Sequence, residues 1–210
     1  GYFELLALVS GFILVAPVLA VGTYVISIHL ERGEKPSLRR CLREEQRALG
    51  SLMVFALMLM VVFLVWARAG SAVHVFFPIA EATGWRDYLT FFGIGSAIGS
   101  IFAAVVFSAA AFSLPMLVDR KVDTVTAVVT SVNAVLRNKP AMAVWAACIV
   151  VAVAPGFALL FIGQQRGGGL AWVMVALGLT LPLIGHATWH GYRATVDAGQ
   201  WPPNECTGGT

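Results

Sequence analysis

Long apolar runs alternate with short polar segments along this chain, and this alternation is its strongest pattern. A helix that crosses a bilayer needs about 20 mostly apolar residues. Five runs meet or approach this length, at about 3–28, 49–66, 89–114, 141–162 and 170–192. Because lipid offers no hydrogen bonds to the backbone, each span must be helical. The pattern therefore predicts an all-α, polytopic helical membrane protein with five spans, forming a single membrane domain over residues 1–210.

Two of the polar segments between spans have a helical period of their own. The first places small or apolar residues on one face: Leu38, Cys41, Leu42, Ala48 and Leu49. The second follows Asp123, a good helix N-cap, and its apolar face is Val125, Val128, Val129, Val132, Val135 and Leu136. We predict two amphipathic helices at the headgroup level. Segments 67–88 and 163–169 are predicted to be loops, and 200–210 a loop or disordered end.

The composition of the chain indicates that lipid surrounds it, and the distribution of its basic residues indicates how its spans are oriented in the membrane. The chain is 59% hydrophobic and 12% charged, with a mean hydropathy of +0.82, so lipid must surround most of its side chains. Eleven of the 14 basic residues fall on one side of the predicted spans, and Arg68, Arg86 and Arg166 fall on the other. By the positive-inside rule, the basic loops and the C-terminus are cytoplasmic and the N-terminus of this chain is outside.

A shift of 88 residues superposes two similar units of the chain. It places Glu31 and Arg32 on Asp119 and Arg120, where each unit leaves a span. The units, at about 3–67 and 91–162, predict a parallel internal repeat, followed by the extra span at 170–192 and a tail at 193–210. We interpret the two acid–arginine pairs as ion-paired hinges between span and surface helix. The alternative is a charged gate or a docking surface for a partner.

Three of the four histidines could share a ligand. His186 and His190 lie four residues apart in the fifth span, a spacing that turns both imidazoles to one side of a helix. His29 ends the first span on the same side and could supply a third ligand. The preferred interpretation is an interfacial belt or a structural hydrogen bond. The alternative is ligation of a metal or haem.

Small residues on the third span predict close packing of helices. Gly95 and Gly99 form a GxxxG pair that Ala103 extends, and such residues let two backbones approach in a membrane. We expect the neighbour to belong to the same chain, although another subunit could take its place.

The predicted spans lack the groups that transport and catalysis use. Apart from Glu4 near the outer end of the first span, they contain no Asp, Glu, Lys or Arg, whereas ion-coupled transporters usually need such residues at membrane depth. No P-loop, G-x-S-x-G or H-E-x-x-H motif is present. We predict that the protein is not an enzyme and has no cofactor beyond a ligand at the histidines.

Four segments together resemble a known family. They are GFILVAP at 11–17, LERGEKP at 30–36, SLPMLVDR at 113–120 and GHATWH at 185–190. The chain is similar to a bacterial family of predicted integral membrane proteins catalogued as a domain of unknown function. The resemblance implies the bacterial inner membrane and six spans, so one N-terminal span is expected to be missing here. Some members carry the label cytochrome c oxidase subunit I, but that core needs more histidine ligands than the four present.

These observations favour a non-catalytic accessory or scaffold subunit of a larger membrane complex, respiratory or photosynthetic by association with the family label. Its partners would be the lipid bilayer and other membrane subunits or further copies of itself, without nucleic acid. The repeat and the prolines within spans motivate an alternative, a passive channel or carrier for an uncharged or lipidic solute. Metal or haem binding through the histidines is the third hypothesis.

Overall fold

The computed structural model describes residues 2–33, 35, 38–77, 84–166 and 169–204, with most of their side chains. Seven helices follow one another through this part of the chain: α1 Tyr2–Glu31, α2 Leu38–Phe76, α3 Trp85–Ala110, α4 Ser113–Asp119, α5 Thr124–Arg137, α6 Lys139–Arg166 and α7 Gly169–Thr195. A single 3-10 turn, Ala198–Gln200, comes after α7. The all-α class is confirmed for the described residues, whose one β-type pairing is an isolated antiparallel bridge between Arg120 and Pro203.

Four segments of the described chain are long and apolar enough to cross a membrane: Ser10–Glu31, Leu49–Phe76, Trp85–Asp119 and Lys139–Gly156. The predicted fifth span corresponds to α7, which is 27 residues long but is not among these four. The side chains of residues 169, 170 and 173, in its first half, lie outside the described residues. The internal repeat stays a prediction, and α1 has no counterpart of the break between α3 and α4.

Helix α2 corrects two predictions. The first amphipathic segment and the second span form one helix, Leu38–Phe76, although the side chains of residues 38–48 lie outside the described part. The outer loop predicted at 67–88 is also too long, because α2 continues to Phe76 and α3 begins at Trp85. Ala67–Ala72 contains alanines that favour helix, and the Ser71 hydroxyl donates to the Ala67 carbonyl at 2.9 Å. Polar residues at a helix end therefore gave a false loop signal.

The break between α3 and α4 is held by a side chain from α5. The Phe112 N–H donates to the Ser131 hydroxyl oxygen at 3.0 Å, and that hydroxyl donates to the Ser108 carbonyl at 2.7 Å. Backbone groups freed where a helix bends must find such partners when they are buried. Pro115 then occupies the first turn of α4, where a missing N–H costs nothing.

Helix α5 begins where predicted but does not pack like a simple amphipathic helix. Asp123 is its N-cap as predicted, accepting from the Thr126 N–H at 3.0 Å. The buried residues, however, are Thr124, Ala127, Ser131 and Val135. Half of the predicted apolar face is exposed, namely Val125, Val129 and Leu136. Small side chains bring α5 against α3 and α4, and the valines are left for another environment.

The buried core lies at one end of the bundle. All seven residues of α4 are buried, and α4 packs against α1, α2, α5 and α7. The largest fully buried side chains there include Phe55, Phe112, Met116, Trp189 and Tyr192. In contrast, no residue of α3 is buried. The end where α1 and α4 finish is therefore the place where the fold can hold polar groups in fixed positions.

Candidate functional site

The two predicted acid–arginine pairs meet at one cavity. Helix α1 ends at Glu31 and α4 ends at Asp119, and a cavity of about 340 Å³ lies between them. We call it the exit cavity, and it is lined by Ile28, Glu31, Arg32, Asp119, Arg120, Trp189, Arg193 and Pro203. The sequence placed the two pairs at equivalent positions of two units. The structure brings them together in one site.

Asp119 is the most deeply placed charge of this site. It is 6% exposed, and its Oδ2 accepts from Arg120 Nε at 2.9 Å and from the Tyr192 hydroxyl at 2.9 Å. A buried carboxylate is tolerated only when it is paired and hydrogen-bonded. Asp119 therefore ties the end of α4 to α7.

The C-terminal tail closes over this end of α4. Arg120 Nη1 donates to the Trp201 carbonyl at 3.0 Å, Lys121 N donates to the Pro202 carbonyl at 3.0 Å, and Asn204 N donates to the Asp119 carbonyl at 2.9 Å. The loop predicted for the end of the chain is confirmed for residues 201–204, which these bonds fix against α4, and 205–210 lie outside the described residues. The Pro-Pro pair suggested an unstructured end, but Trp201 beside it packs against the core.

Glu31 makes looser contacts on the other side of the cavity. Its carboxylate lies 3.9 Å from Arg193 Nε and 4.0 Å from His190 Nδ1. The side chains of Arg193 and His190 are about half exposed, so these pairs contribute little to stability. They set the charge around the cavity without fixing its shape.

His186 and His190 form a hydrogen-bonded pair as their spacing suggested. Their Nε2 atoms are 3.2 Å apart, and His186 Nδ1 lies 2.8 Å from the Ser27 hydroxyl. Since that hydroxyl donates to the Thr23 carbonyl at 2.8 Å, it accepts from His186 Nδ1–H. His186 Nε2 is then an acceptor, and His190 Nε2–H donates to it. The pair links α7 to α1 through a defined arrangement of protons.

His29 does not join this pair. It is 1% exposed, and its Nδ1 bonds to the Val25 carbonyl of its own helix at 2.9 Å. Across the described ranges, no group of three or more His, Cys, Asp or Glu residues is arranged to hold a metal ion. The predicted three-histidine set is therefore reduced to His186 and His190.

The small-residue face of α3 is open. A Cβ added at Gly95 or Gly99 would meet nothing within 4 Å, so the expected contact within the chain is not made by the described residues. Gly99 and Ala103 instead line an apolar groove of about 360 Å³, with Phe63 and Trp66 on its α2 side. Among the residues that the structure describes, none covers this face at Gly95 or Gly99.

Close helix approach occurs at a glycine that the sequence did not single out. A Cβ at Gly185 on α7 would overlap the Thr23 hydroxyl on α1 and lie 3.0 Å from Thr23 Cβ. This contact places Ser27, one turn after Thr23, within reach of His186, the residue after Gly185. The only sequence signal was a glycine directly before the first histidine of the pair.

Comparison with known proteins gives a family and no activity. No curated protein and no solved structure matches the chain. Residues 5–119, more than half of the chain, match the family described as "predicted integral membrane protein (DUF2189)". The match covers most of α1, all of α2 to α4, and Glu31, Arg32 and Asp119 of the exit cavity, and it ends one residue before Arg120. The chain belongs to this family of predicted integral membrane proteins.

Proposed function

We propose that this protein is a non-catalytic accessory or scaffold subunit that packs against other subunits in the bacterial inner membrane. The observation that carries the proposal is the open face of α3, formed by Gly95, Gly99 and Ala103. Small residues give little contact with lipid tails, but they let a neighbouring helix approach closely. In this chain α3 has no buried residue. A helix from a partner subunit or from a second copy would fill the groove beside Gly99.

The charge distribution supports an orientation for this subunit. The exit cavity, the tail and the loop that starts α5 lie at the end that carries most of the basic residues. The positive-inside rule puts this end in the cytoplasm. The open face of α3 then lies within the bilayer, where it meets helices of other membrane proteins.

Leucine at the small-residue face tests the proposal. We expect Gly99→Leu to reduce the partner that copurifies from native membranes in mild detergent by about ten-fold, since loss of a close helix contact is worth about 1–2 kcal/mol. Native mass spectrometry would identify that partner as another subunit or a second copy. Gly178→Leu is the matched control, because Gly178 on α7 also has open space around its Cβ. A wild-type protein that purifies alone, with no stoichiometric partner, would contradict the proposal.

A second candidate function, metal binding, is favoured by the histidine geometry. Two nitrogen ligands of a tetrahedral metal, each about 2.0–2.1 Å from it, lie about 3.3 Å apart. The His186 and His190 Nε2 atoms are 3.2 Å apart, and the Ser27 contact holds the His186 ring in position. The remaining ligands would have to come from water, a partner or a haem.

Elemental analysis and a visible spectrum of the purified protein test this second candidate. Metal binding predicts a stoichiometric metal that falls by about ten-fold or more in His186→Ala and His190→Ala. His29→Ala serves as the control, since His29 bonds to its own helix. A colourless, metal-free wild-type sample would exclude the candidate.

A further inference from the structure

Arg193 has hydrogen-bond donors at the exit cavity that its neighbouring carboxylate does not take up. Three guanidinium groups (Arg32, Arg120 and Arg193) and two carboxylates (Glu31 and Asp119) line it. Asp119 is occupied by Arg120 and the Tyr192 hydroxyl. Glu31 is beyond hydrogen-bond distance of Arg193, at 3.9 Å. Among the residues that the structure describes, Arg193 therefore keeps N–H groups for another acceptor.

A second, independent observation points to a missing acceptor. Trp189, which also lines the cavity, is 1% exposed. Its Nε1–H is buried and has no hydrogen-bond partner among the residues that the structure describes. Buried donors are nearly always paired, so each exception calls for an explanation. A ligand oxygen in the cavity would provide the acceptor.

The position of the cavity indicates the chemistry of that ligand. Two of the candidate membrane spans end at its carboxylates, Ser10–Glu31 and Trp85–Asp119. The cavity is therefore at the membrane surface, the depth of phospholipid headgroups. Guanidinium groups recognise phosphate with two parallel N–H···O bonds. The volume of about 340 Å³ is within the range of small-ligand sites.

We propose that the exit cavity binds a phosphate group, with Arg193 pairing its oxygens and Trp189 Nε1 donating to one of them. The phosphate can belong to a phospholipid headgroup or to a free phosphate ion, since both present the same oxygens. Bound there, it joins α1, α4 and α7 at one point and so locks the end of the bundle.

Thermal unfolding of the full chain tests this site. The protein is purified in a phosphate-free maltoside detergent, and Tm is measured against added inorganic phosphate. A second series compares phosphatidylglycerol with a diacylglycerol of the same chain length, which lacks only the headgroup. Ligands that bind the folded state raise Tm with concentration. We expect phosphatidylglycerol to raise Tm above the diacylglycerol value, and a rise with inorganic phosphate as well would show that the free ion suffices. No rise in either series overturns the proposal.

Two variants assign the effect to the cavity. Arg193→Gln should require about ten-fold more ligand for the same rise in Tm, because a charge-assisted hydrogen bond is lost. Arg137→Gln removes an exposed arginine at the end of α5 and should leave the titration unchanged. Equal weakening in both variants would mean non-specific attraction and would overturn the site.

Trp189→Phe removes the unpaired donor and keeps an aromatic ring. If Nε1 donates to the phosphate, this variant should weaken binding several-fold, measured as the ligand concentration needed for a fixed rise in Tm above the value of the same variant without ligand. Each variant is thus compared with its own ligand-free Tm. An unchanged concentration would overturn the role assigned to Trp189.

Discussion

Replacing Asp119 by alanine is expected to lower the free energy of unfolding by about 3 kcal/mol, because it leaves the Arg120 charge without its partner. Asp119 is 6% exposed and accepts from both Arg120 and the Tyr192 hydroxyl. The lower end of the usual range for a broken buried pair applies, since Arg120 keeps its bond to the Trp201 carbonyl. Denaturant or thermal unfolding in detergent, followed by tryptophan fluorescence, measures the change.

A double-mutant cycle distinguishes the coupling between Asp119 and Tyr192 from a general loss of stability. Tyr192→Phe alone should cost about 1 kcal/mol, the usual loss for one hydrogen bond. In the Asp119→Ala background the same change should cost clearly less, because its acceptor is already gone. Asp87→Ala, at the exposed start of α3, is the matched control and should cost at most about 1 kcal/mol. Additive costs for Asp119 and Tyr192 would show that the two side chains do not cooperate.

The second large effect is expected at Gly185. A methyl group there overlaps the Thr23 hydroxyl and lies 3.0 Å from Thr23 Cβ. Gly185→Ala should therefore push α1 and α7 apart and lower the free energy of unfolding by about 1–3 kcal/mol, the usual cost of overpacking. The same displacement should lengthen the 2.8 Å contact between Ser27 and His186.

Gly178 offers a control with the opposite sign. It lies two turns earlier on α7 and has nothing within 4 Å of an added Cβ. Gly178→Ala should raise stability by about 0.5–1 kcal/mol, since alanine favours helix over glycine. Adding Thr23→Ala to Gly185→Ala should recover part of the loss by removing the overlapping hydroxyl. Equal effects at Gly178 and Gly185, or no recovery, would contradict the close approach of α1 and α7.

Much of the fold could be predicted from local patterns. The apolar runs and the N-cap Asp123 predicted helices, and most of these helices are found at the predicted positions. Errors arose where a local signal has two meanings. Polar residues near Ser71 suggested a loop but lie at the end of α2. The valine period of α5 was correctly interpreted as a helix, but Val135 is the only residue of its predicted apolar face that is buried, together with Thr124, Ala127 and Ser131.

The residues of the candidate site could be predicted from the sequence, but which of them lie together in space could not. Spacing brought His186 and His190 together, because four residues make about one helical turn. The meeting of Glu31 with Asp119, and the docking of the tail at Arg120, had no local signal. The position of His29 at the end of the first span suggested a ligand role, but its Nδ1 bonds to the Val25 carbonyl of its own helix.

The sequence by itself determined that this is a helical membrane protein, where its helices run, and that its charges collect at the helix exits. These properties follow from residue-by-residue transfer into lipid and from backbone hydrogen bonds within each segment. Only the tertiary structure decided which exits share a cavity, which glycine brings two helices close, and which small-residue face stays open. The partners in those contacts are far apart in sequence, as in Tyr192 and Asp119, 73 residues apart. Their meeting depends on how whole helices pack, and no local pattern encodes it.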